Sequence, residues 1–302
     1  MGQARRQATV AGIARFNGTG VHSGVATEMV VKPGRVNTGI VFTINGMGPR
    51  ILACQDNVHG VELCTVVGKD GTSVAVTEHL LAAFRICGIT NAEVNVTARE
   101  VPIMDGSAAV FVEEFQRVGI KHQNGHVAAM YIENEISIVS TAGGYARVTP
   151  SDTCEITVTL EWRGDRALPP ELSSHTFSFD SNLYDIARAR TFGWLEDFEA
   201  IKSKGMALGA SEKNTIALLH DNMVQNRGGL RNPKELVLHK CLDLVGDLAV
   251  LGFDIVGRIE SKNPSHFINN DLRKAILFER VRQNQITNYR ATISPESVEF
   301  AC

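Results

Sequence analysis

Three side chains that can bind metals or transfer protons, His239, Asp243 and Asp247, recur every fourth residue within an otherwise apolar stretch. An α-helix places residues four apart one above another, so these side chains are predicted to share one helix face. Burying an imidazole and two carboxylates costs several kcal/mol unless each is paired. A His-x3-Asp pair can bring two ligands to one cation. A buried hydrogen-bonded trio and a solvated stripe are the alternatives.

The element that positions these residues is predicted to be a helix over residues 232–252. Asn232 is a good N-cap, Pro233 suits the first helical position, and Glu235 completes a pattern like a capping box. Gly252 is placed to end the helix. Most residues between these ends are apolar, which predicts that the helix is largely buried.

A catalytic zinc site usually takes three protein ligands and leaves one position open for water. His239 and Asp243 would supply two of them. Among the other histidines, His79 and His22 have the most constrained surroundings. His79 follows Glu78 at the start of a short predicted helix, and His22 lies in the glycine-rich loop GTGVHSG. Spacing alone does not choose between the two histidines.

The composition is that of an ordinary globular protein, since 44% of the 302 residues are apolar and 21% are charged. The net charge of -3 provides no global field for nucleic acid, and no basic stripe indicates a nucleic-acid module. No run approaches the ~20 apolar residues of a membrane span, and no export signal is recognised. The six cysteines form no C-x-x-C pair, so free thiols in a cytoplasmic protein are expected.

Strands and helices alternate in two successive groups along the chain. This order predicts an α+β fold of two similar layered modules, each with a sheet and a pair of helices. The first domain is predicted to span residues 1–121 and the second residues 127–283. The polar segment Lys121–His126 is the predicted linker, and residues 284–302 are predicted to form an extended or loose C-terminal tail.

Motifs that could carry chemistry occur along nearly the whole chain. They are GTGVHSG (18–24), TEHLLAAF (77–84), EVPIMDGSA (100–108), ARTFG (189–193), the glycine-rich run through Gly209 and Ser211, HKCLDLVGD (239–247), and Ser265-His266 with Asn269 and Leu272 behind it. In this order they resemble the zinc-dependent UDP-3-O-acyl-N-acetylglucosamine deacetylases of lipid A biosynthesis. EVPIMDGSA together with HK-x2-D-x2-GD is very specific. The resemblance implies hydrolysis of the N-acetyl group, giving UDP-3-O-acyl-glucosamine and acetate.

The resemblance also implies a role for each catalytic residue. One catalytic Zn²⁺, with Fe²⁺ as the alternative ion, would have three protein ligands: His79, His239 and Asp243. Glu78 would be the general base that takes a proton from zinc-bound water, and Thr191 would hydrogen-bond the developing oxyanion. His266 would stabilise the intermediate and protonate the leaving amine. Asp247 would orient His266 and stabilise its charge.

Substrate contacts are implied for five further residues of the chain. Lys240 would contact the substrate near the metal, and Phe192 would line the sugar pocket. Trp162 would meet the uridine end, with core packing at a strand end as its alternative. Cys64 and Lys262 are further expected contacts, the latter to the diphosphate.

A small inserted element of the second module, about residues 194–216, would form an apolar passage for the acyl chain. Five of its residues suit that role, with ordinary core packing as the alternative: Leu195, Phe198, Ile201, Met206 and Ile216. Glu212 and Lys213 stand where the family's passage continues with an apolar residue and Asp. An unusual acyl-chain preference or a shifted passage is therefore expected.

Two other departures from the family pattern fall close to the expected site. The family's Thr-Val before Glu-His is inverted to Val76-Thr77, which is expected to alter a contact behind Glu78. The family's Lys-Ser-Gly-His becomes Asn-Pro-Ser-His at residues 263–266, and Lys262 stands one residue early. This second change bears on the diphosphate contact and on the pose of His266.

Three hypotheses for function follow from these patterns. The leading one is a monomeric zinc amidase that acts on a UDP-amino sugar, without nucleic acid and without a membrane span. The second is a related metal-dependent deacetylase with altered acyl or sugar specificity. The third is a non-catalytic relative that binds a UDP-sugar. The intact set of base, metal ligands and acid argues against this third hypothesis, because a binding protein needs neither a base nor an acid.

Overall fold

Two five-stranded sheets form the framework of the protein in a computed structural model, which describes residues 5–141 and 143–292. The helices are α1 (Glu78–Ile86), α2 (Ala109–Val118), α3 (Tyr184–Arg188), α4 (Leu195–Ser203), α5 (Glu235–Ala249) and α6 (His266–Thr292). The strands of the first half are β1 (Arg6–Val10), β2 (Ala14–Thr19), β3 (Ala26–Pro33), β4 (Ile40–Ile44), β5 (Met47–Leu52), β6 (Val58–Gly60), β7 (Val66–Lys69), β8 (Thr72–Val74) and β9 (Ala92–Val96). The later strands are β10 (Ile120–His126), β11 (Ala129–Tyr131), β12 (Ile136–Val139), β13 (Tyr145–Thr149), β14 (Glu155–Thr159), β15 (Ser174–Ser178), β16 (Phe192–Trp194), β17 (Ile216–Leu218), β18 (Asp254–Val256) and β19 (Arg258–Lys262).

The two large sheets have the same connectivity. The first has the strand order β2-β3-β9-β4-β5, and the second has the order β12-β13-β19-β14-β15. In the first sheet β9 and β4 are parallel, and in the second β19 and β14 are parallel. The other neighbouring pairs are antiparallel. The α+β class predicted from the sequence is confirmed, while the division into two domains stays a prediction.

Helices α1 and α5 pack against each other at the centre of the molecule. Their backbones come very close, because a Cβ atom added to Gly246 would lie 2.0 Å from the carbonyl oxygen of Glu78. A glycine is needed there for steric reasons. One continuous buried cluster contains both helices and residues of both large sheets, such as Phe42 and Ile259. The two halves therefore share a core.

The predicted linker and the predicted extended tail are both corrected by the structure. Lys121–His126 belongs to β10, which pairs antiparallel with β1. The Gln123 side chain donates to the carbonyl of Gly34 and accepts from Asn91, so this segment is held in the first half. The tail prediction is wrong as far as Thr292, because α6 continues to that residue, and residues 293–302 lie outside the described part. Among the described residues, no helix is both long and apolar enough to cross a bilayer.

The central helix begins three residues later than predicted. Asn232 does act as a local cap, since its side-chain oxygen accepts from the backbone N–H of Lys234 at 2.8 Å. The Glu235 carboxylate does not complete a capping box. It accepts instead from the Arg231 backbone N–H and pairs with the buried Arg190 guanidinium at 2.8 Å. The predicted burial of α5 is confirmed.

Candidate metal and catalytic site

A buried cluster of two histidines and one aspartate lies where α1 meets α5. His79 is in the first turn of α1, and His239 and Asp243 lie one turn apart on α5. The Asp243 Oδ1 atom is 3.2 Å from His239 Nε2 and 3.6 Å from His79 Nε2. One potential ligand atom from each residue lies within 4.8 Å of the others. The cluster therefore has the size of a single-ion site.

The donor set and its spacing fit a tetrahedral zinc ion. Ligand atoms ~2.0–2.1 Å from such an ion lie about 3.3 Å apart, which is close to both measured separations. His239 Nδ1 lies 3.0 Å from the Ala189 carbonyl oxygen, so Nδ1–H donates there and Nε2 keeps its lone pair. Lys240 Nζ binds Asp243 Oδ2 at 2.9 Å and leaves Oδ1 facing the histidines. His79 Nδ1 is buried and has no hydrogen-bond partner among the described residues.

The ionisation states of the cluster also suit a metal ion. Burial lowers the pKa of His239 to about 4, so the imidazole is neutral at pH 7. Burial raises the pKa of Asp243, but His239 and Lys240 more than offset burial and hold the pKa well below its ordinary value. A neutral imidazole and an ionised carboxylate are the forms that bind metals.

The carboxylate of Glu78 lies beside this cluster and is buried. Its Oε2 atom accepts from the backbone N–H of Thr65 at 2.9 Å. Burial raises the pKa of Glu78, and the nearby His266 and His79 act in the opposite direction. A carboxylate whose pKa is raised is a better proton acceptor than an ordinary glutamate. Glu78 can therefore act as a base next to the candidate metal site.

The buried Asp247 carboxylate and the largely buried His266 imidazole form a second acid–base pair. His266 Nδ1 lies 2.7 Å from Asp247 Oδ2, which also accepts from the Asn269 amide at 2.7 Å. Burial lowers the pKa of His266, but the Asp247 carboxylate more than offsets burial and raises the pKa to about 9. The imidazole is thus protonated at pH 7. Arg273, whose side chain is completely buried, donates to the Asp247 carbonyl oxygen at 2.7 Å.

The sequence model of the UDP-3-O-acyl N-acetylglycosamine deacetylase family matches residues 7–278. The chain belongs to this family. A UDP-3-O-acyl-N-acetylglucosamine deacetylase of Chromohalobacter salexigens is 37% identical over 278 residues, which are 91% of each chain. A protein of the same name from Alcanivorax borkumensis is 37% identical over 97% of this chain and 96% of its own. Another, from Helicobacter pylori, is 33% identical over 98% of each chain.

The family motif EVPIMDGSA holds the GTGVHSG loop in place. The Glu100 carboxylate accepts from the backbone N–H groups of His22 and Ser23 at 2.7 and 2.9 Å. A Cβ atom on Gly20 would lie 2.3 Å from that carboxylate, so a side chain at this position would clash with Glu100. His22 lies outside the metal cluster, and its Nδ1 accepts from the Ala207 N–H at 3.3 Å. Of the two histidines left open by spacing, the described structure brings His79 to the cluster.

The family motif ARTFG places Thr191 and Phe192 beside α5. The Thr191 N–H donates to the Gly106 carbonyl at 2.8 Å, which ties ARTFG to EVPIMDGSA. The Phe192 ring centroid lies 5.9 Å from that of His239, and Lys240 Nζ lies 5.3 Å from the Phe192 ring centroid. Trp162 packs edge-on against Phe192 with centroids 5.8 Å apart. These substrate-contact candidates therefore lie in one group on the His239 side of the cluster.

The predicted passage segment is a partly exposed helix followed by a loop and a strand. None of the residues of α4 is buried, so Leu195, Phe198 and Ile201 are not ordinary core side chains. Met206, in the following loop, is half-buried. Ile216 on β17 is fully buried in the core cluster, which fits its core-packing alternative. The passage itself stays a prediction.

The departures from the family pattern have visible structural consequences. The Thr77 hydroxyl donates to the Thr65 carbonyl at 3.0 Å, so the inverted Val76-Thr77 does make a contact behind Glu78. Asn263 adopts a positive φ of 47°, and its side-chain oxygen accepts from the Glu161 N–H at 2.7 Å. The Lys262 ammonium forms an ion pair with the Glu161 carboxylate.

Two residues of the site, Thr65 and Arg273, were not predicted from the sequence, and Asn269 was named in a motif without a role. Cys64, by contrast, was expected at the site. Burial raises the pKa of the Cys64 thiol, and the nearby Glu78 carboxylate raises it further. Arg273 had a sequence signal, because it lies between the apolar residues Leu272 and Ile276 of α6. Thr65 had none, since its partners are distant in sequence.

Proposed function

We propose that the protein hydrolyses the N-acetyl amide of UDP-3-O-acyl-N-acetylglucosamine, an early step of lipid A biosynthesis. The observation that carries the proposal is that a candidate metal cluster, a buried base and a largely buried cationic acid meet beside the contact of α1 with α5. Family membership supports the same substrate class. The products are acetate and UDP-3-O-acyl-glucosamine.

The cluster would hold one Zn²⁺, or Fe²⁺, through His79, His239 and Asp243. Such an ion polarises the amide carbonyl and lowers the pKa of water. Lys240 neutralises part of the Asp243 charge and keeps its second oxygen away from the ion site. The tautomer of His239 is fixed by the Ala189 carbonyl.

The residues of this chain supply the proton transfers. Glu78 accepts a proton from the attacking water, whose oxygen forms a bond to the acetyl carbon. The Thr191 hydroxyl donates a hydrogen bond to the oxygen on which negative charge develops. His266, which carries its proton at neutral pH, donates it to the amine nitrogen as the carbon–nitrogen bond breaks. One base and one acid with opposite protonation states are what this reaction requires.

The remaining substrate contacts are assigned on position. Phe192 and Lys240 would contact the sugar next to the ion, and Trp162 behind Phe192 would support the uridine end. The exposed apolar side chains of α4 would cover the acyl chain, since burying them against an alkyl chain removes apolar surface from water. Lys262 would contact the diphosphate. The cytoplasmic location and the monomeric state expected from the sequence belong to the same proposal.

A second candidate is a related deacetylase with altered acyl specificity. The observation that favours it is the exposed pair Glu212 and Lys213 in the passage segment, where charge disfavours burial of an alkyl chain. A panel of substrates that differ only in acyl length distinguishes the two. If the first candidate is correct, turnover should rise and then fall as the acyl chain is lengthened. If the specificity is altered, the highest turnover should occur with a short or polar acyl group.

The proposal is tested by acetate release from UDP-3-O-acyl-N-acetylglucosamine, measured with and without a chelator, together with metal content. We expect about one ion per chain and loss of turnover on chelation. Glu78→Ala should keep the ion and lose most turnover, while His79→Ala should lose the ion. The matched control is His220→Ala, since His220 is an exposed histidine paired with Asp165 and should keep both ion and turnover. A metal-loaded chain that deacetylates none of the substrates would overturn the proposal.

A further inference from the structure

Thr65 lies between the two acid–base elements of the site and uses every polar group it has. Its backbone N–H donates to Glu78 Oε2 at 2.9 Å, and its hydroxyl donates to Asp247 Oδ1 at 2.5 Å. Its carbonyl oxygen accepts from both the N–H and the hydroxyl of Thr77. The residue is completely buried. Thr65 therefore contacts the first half at Glu78 and Thr77 and the second half at Asp247.

The two carboxylates that Thr65 contacts repel each other. Both carboxylates are buried, and Thr65 donates a hydrogen bond to one oxygen of each. Two buried like charges need donors between them to keep fixed positions. Thr65 supplies one donor to each. The other side-chain donors of the Asp247 carboxylate, His266 and Asn269, both bind Oδ2, and the Arg273 guanidinium lies 3.9 Å from Oδ1 as an ion pair. Among the described residues, the hydrogen bond to Oδ1 therefore comes from the Thr65 hydroxyl.

Thr65 is held by Thr77, which follows a residue with an unusual backbone conformation. Val76 has a φ of 57°, a conformation that a β-branched residue rarely adopts. This bend turns Thr77 so that its N–H and hydroxyl both reach the Thr65 carbonyl, at 3.2 and 3.0 Å. Strained backbone of this kind persists where the surroundings hold it, and it is frequent at functional sites. The bend and the two bonds fix Thr65 against the start of α1.

We propose that Thr65 is a positioning residue that holds the base Glu78 and the Asp247–His266 pair at a fixed separation, with Thr77 as its support. The inference rests on the proposed function, because base and acid are named by it. Thr65 does not touch the reacting atoms in this account. It acts through the two carboxylates, and so it should affect the chemical step more than substrate binding.

The central test compares Thr65→Val with Thr65→Ser. Valine has the shape of threonine but no hydroxyl, so Asp247 Oδ1 loses its donor, whereas serine keeps the donor. Hydrogen bonds to charged groups contribute about 1.5–3 kcal/mol, so kcat of the valine variant should fall about 10- to 100-fold. KM should stay within about twofold, because binding of the ground state is untouched. The serine variant should recover most of kcat.

Two further variants complete the comparison. Thr77→Val removes one of the two bonds to the Thr65 carbonyl and should lower kcat by a smaller factor than Thr65→Val. Thr157→Val is the matched control, since the Thr157 hydroxyl also bonds to another side chain, that of Thr176, but on the exposed face of the second sheet. It should leave kcat and KM unchanged. If Thr65→Val fails to fold, the comparison of Thr65→Ser with Thr77→Val still tests the inference, because kcat should fall in Thr77→Val and be mostly retained in Thr65→Ser.

A readout independent of turnover separates this inference from the proposed function. The imidazole proton between His266 and Asp247 should give a downfield NMR resonance, assigned by its absence in His266→Gln. That resonance should move in Thr65→Val and stay in Thr65→Ser. If the protein has no deacetylase activity but the resonance moves in Thr65→Val and not in Thr65→Ser, the proposed function is refuted and the positioning role of Thr65 toward Asp247 is retained. A Thr65→Val variant with wild-type kcat and an unmoved resonance would overturn the inference.

Discussion

Replacing Asp247 with asparagine should move the alkaline limit of activity to lower pH. Burial alone lowers the pKa of His266, and the Asp247 carboxylate, with smaller contributions from Glu78 and Asp243, raises the pKa to about 9 from an ordinary value of 6.5. The difference corresponds to about 3 kcal/mol in favour of the imidazolium. Without the Asp247 carboxylate the pKa should fall toward the ordinary value of 6.5, because burial still lowers it and only the smaller effects of Glu78 and Asp243 oppose burial. At a pKa of 6.5 only ~10% of His266 would be protonated at pH 7.5, so activity should fall by up to about tenfold.

The assay is kcat/KM for acetate release between pH 6 and pH 10, because this parameter reports ionisations of the free enzyme. The wild type should lose activity as the pH rises through about 9, and Asp247→Asn should lose it at a lower pH, toward 6.5. Asp254→Asn is the control, since Asp254 is also paired with guanidinium groups but lies on β18, away from His266. If kcat/KM of Asp247→Asn falls at the same alkaline pH as that of the wild type, Asp247 does not raise the pKa of His266.

The Asp247–His266 pair should also make the free energy of unfolding depend on pH. The pKa of His266 is higher in the folded chain than its ordinary value, so the pair stabilises the fold fully below pH 6.5. That contribution is lost as the pH rises through about 9. The difference in free energy of unfolding between wild type and Asp247→Asn should therefore shrink between pH 7 and pH 10. A difference that grows with pH would contradict the linkage.

Three other changes have defined outcomes. Gly246→Ala would place a Cβ atom 2.0 Å from the Glu78 carbonyl oxygen, so both the melting temperature and kcat should fall, and a variant with wild-type values would contradict the close contact of α1 and α5. Glu235→Gln leaves the buried Arg190 without its ionic partner and should cost about 3–5 kcal/mol in denaturant unfolding while metal content is unchanged. Lys262→Ala should raise KM for the UDP substrate and leave kcat unchanged, and a fall confined to kcat would exclude the diphosphate contact.

The chemistry of the central helix was predictable because it depends on local spacing. His239 and Asp243 are four residues apart in an apolar stretch, and helical geometry alone places them on one face. The structure puts their ligand atoms 3.2 Å apart. The burial of α5 followed from the same stretch. What spacing did not decide was the third proposed ligand, His79, which lies on a helix more than 150 residues earlier.

The errors arose where tertiary partners override local preference. Lys121–His126 is polar and contains a glycine, so its sequence favours a linker. It is a strand because β1 offers a pairing edge and because Gln123 completes an amide network with Asn91 and Gly34. Thr65 gives no local signal for the same reason, as its partners lie on two helices.

Helix α6 begins at His266, within the segment that departs from the family pattern. Pro264 precedes Ser265, whose hydroxyl accepts from the Ile268 N–H at 3.3 Å in the manner of an N-cap. The departure from the family pattern at residues 263–266 therefore still delivers His266 to Asp247, at 2.7 Å.

The proposed base and the proposed acid come from different halves of the chain, so the site exists only where the halves meet. Glu78 is held by α1, and the Asp247–His266 pair is held by α5 and α6. The separation of base and acid is then set by the α1–α5 contact at Gly246 and by Thr65, which bonds to both sides. A mutation at either contact should lower kcat even though neither residue touches the substrate. Changes at the exposed face of either sheet should affect stability without this effect on kcat.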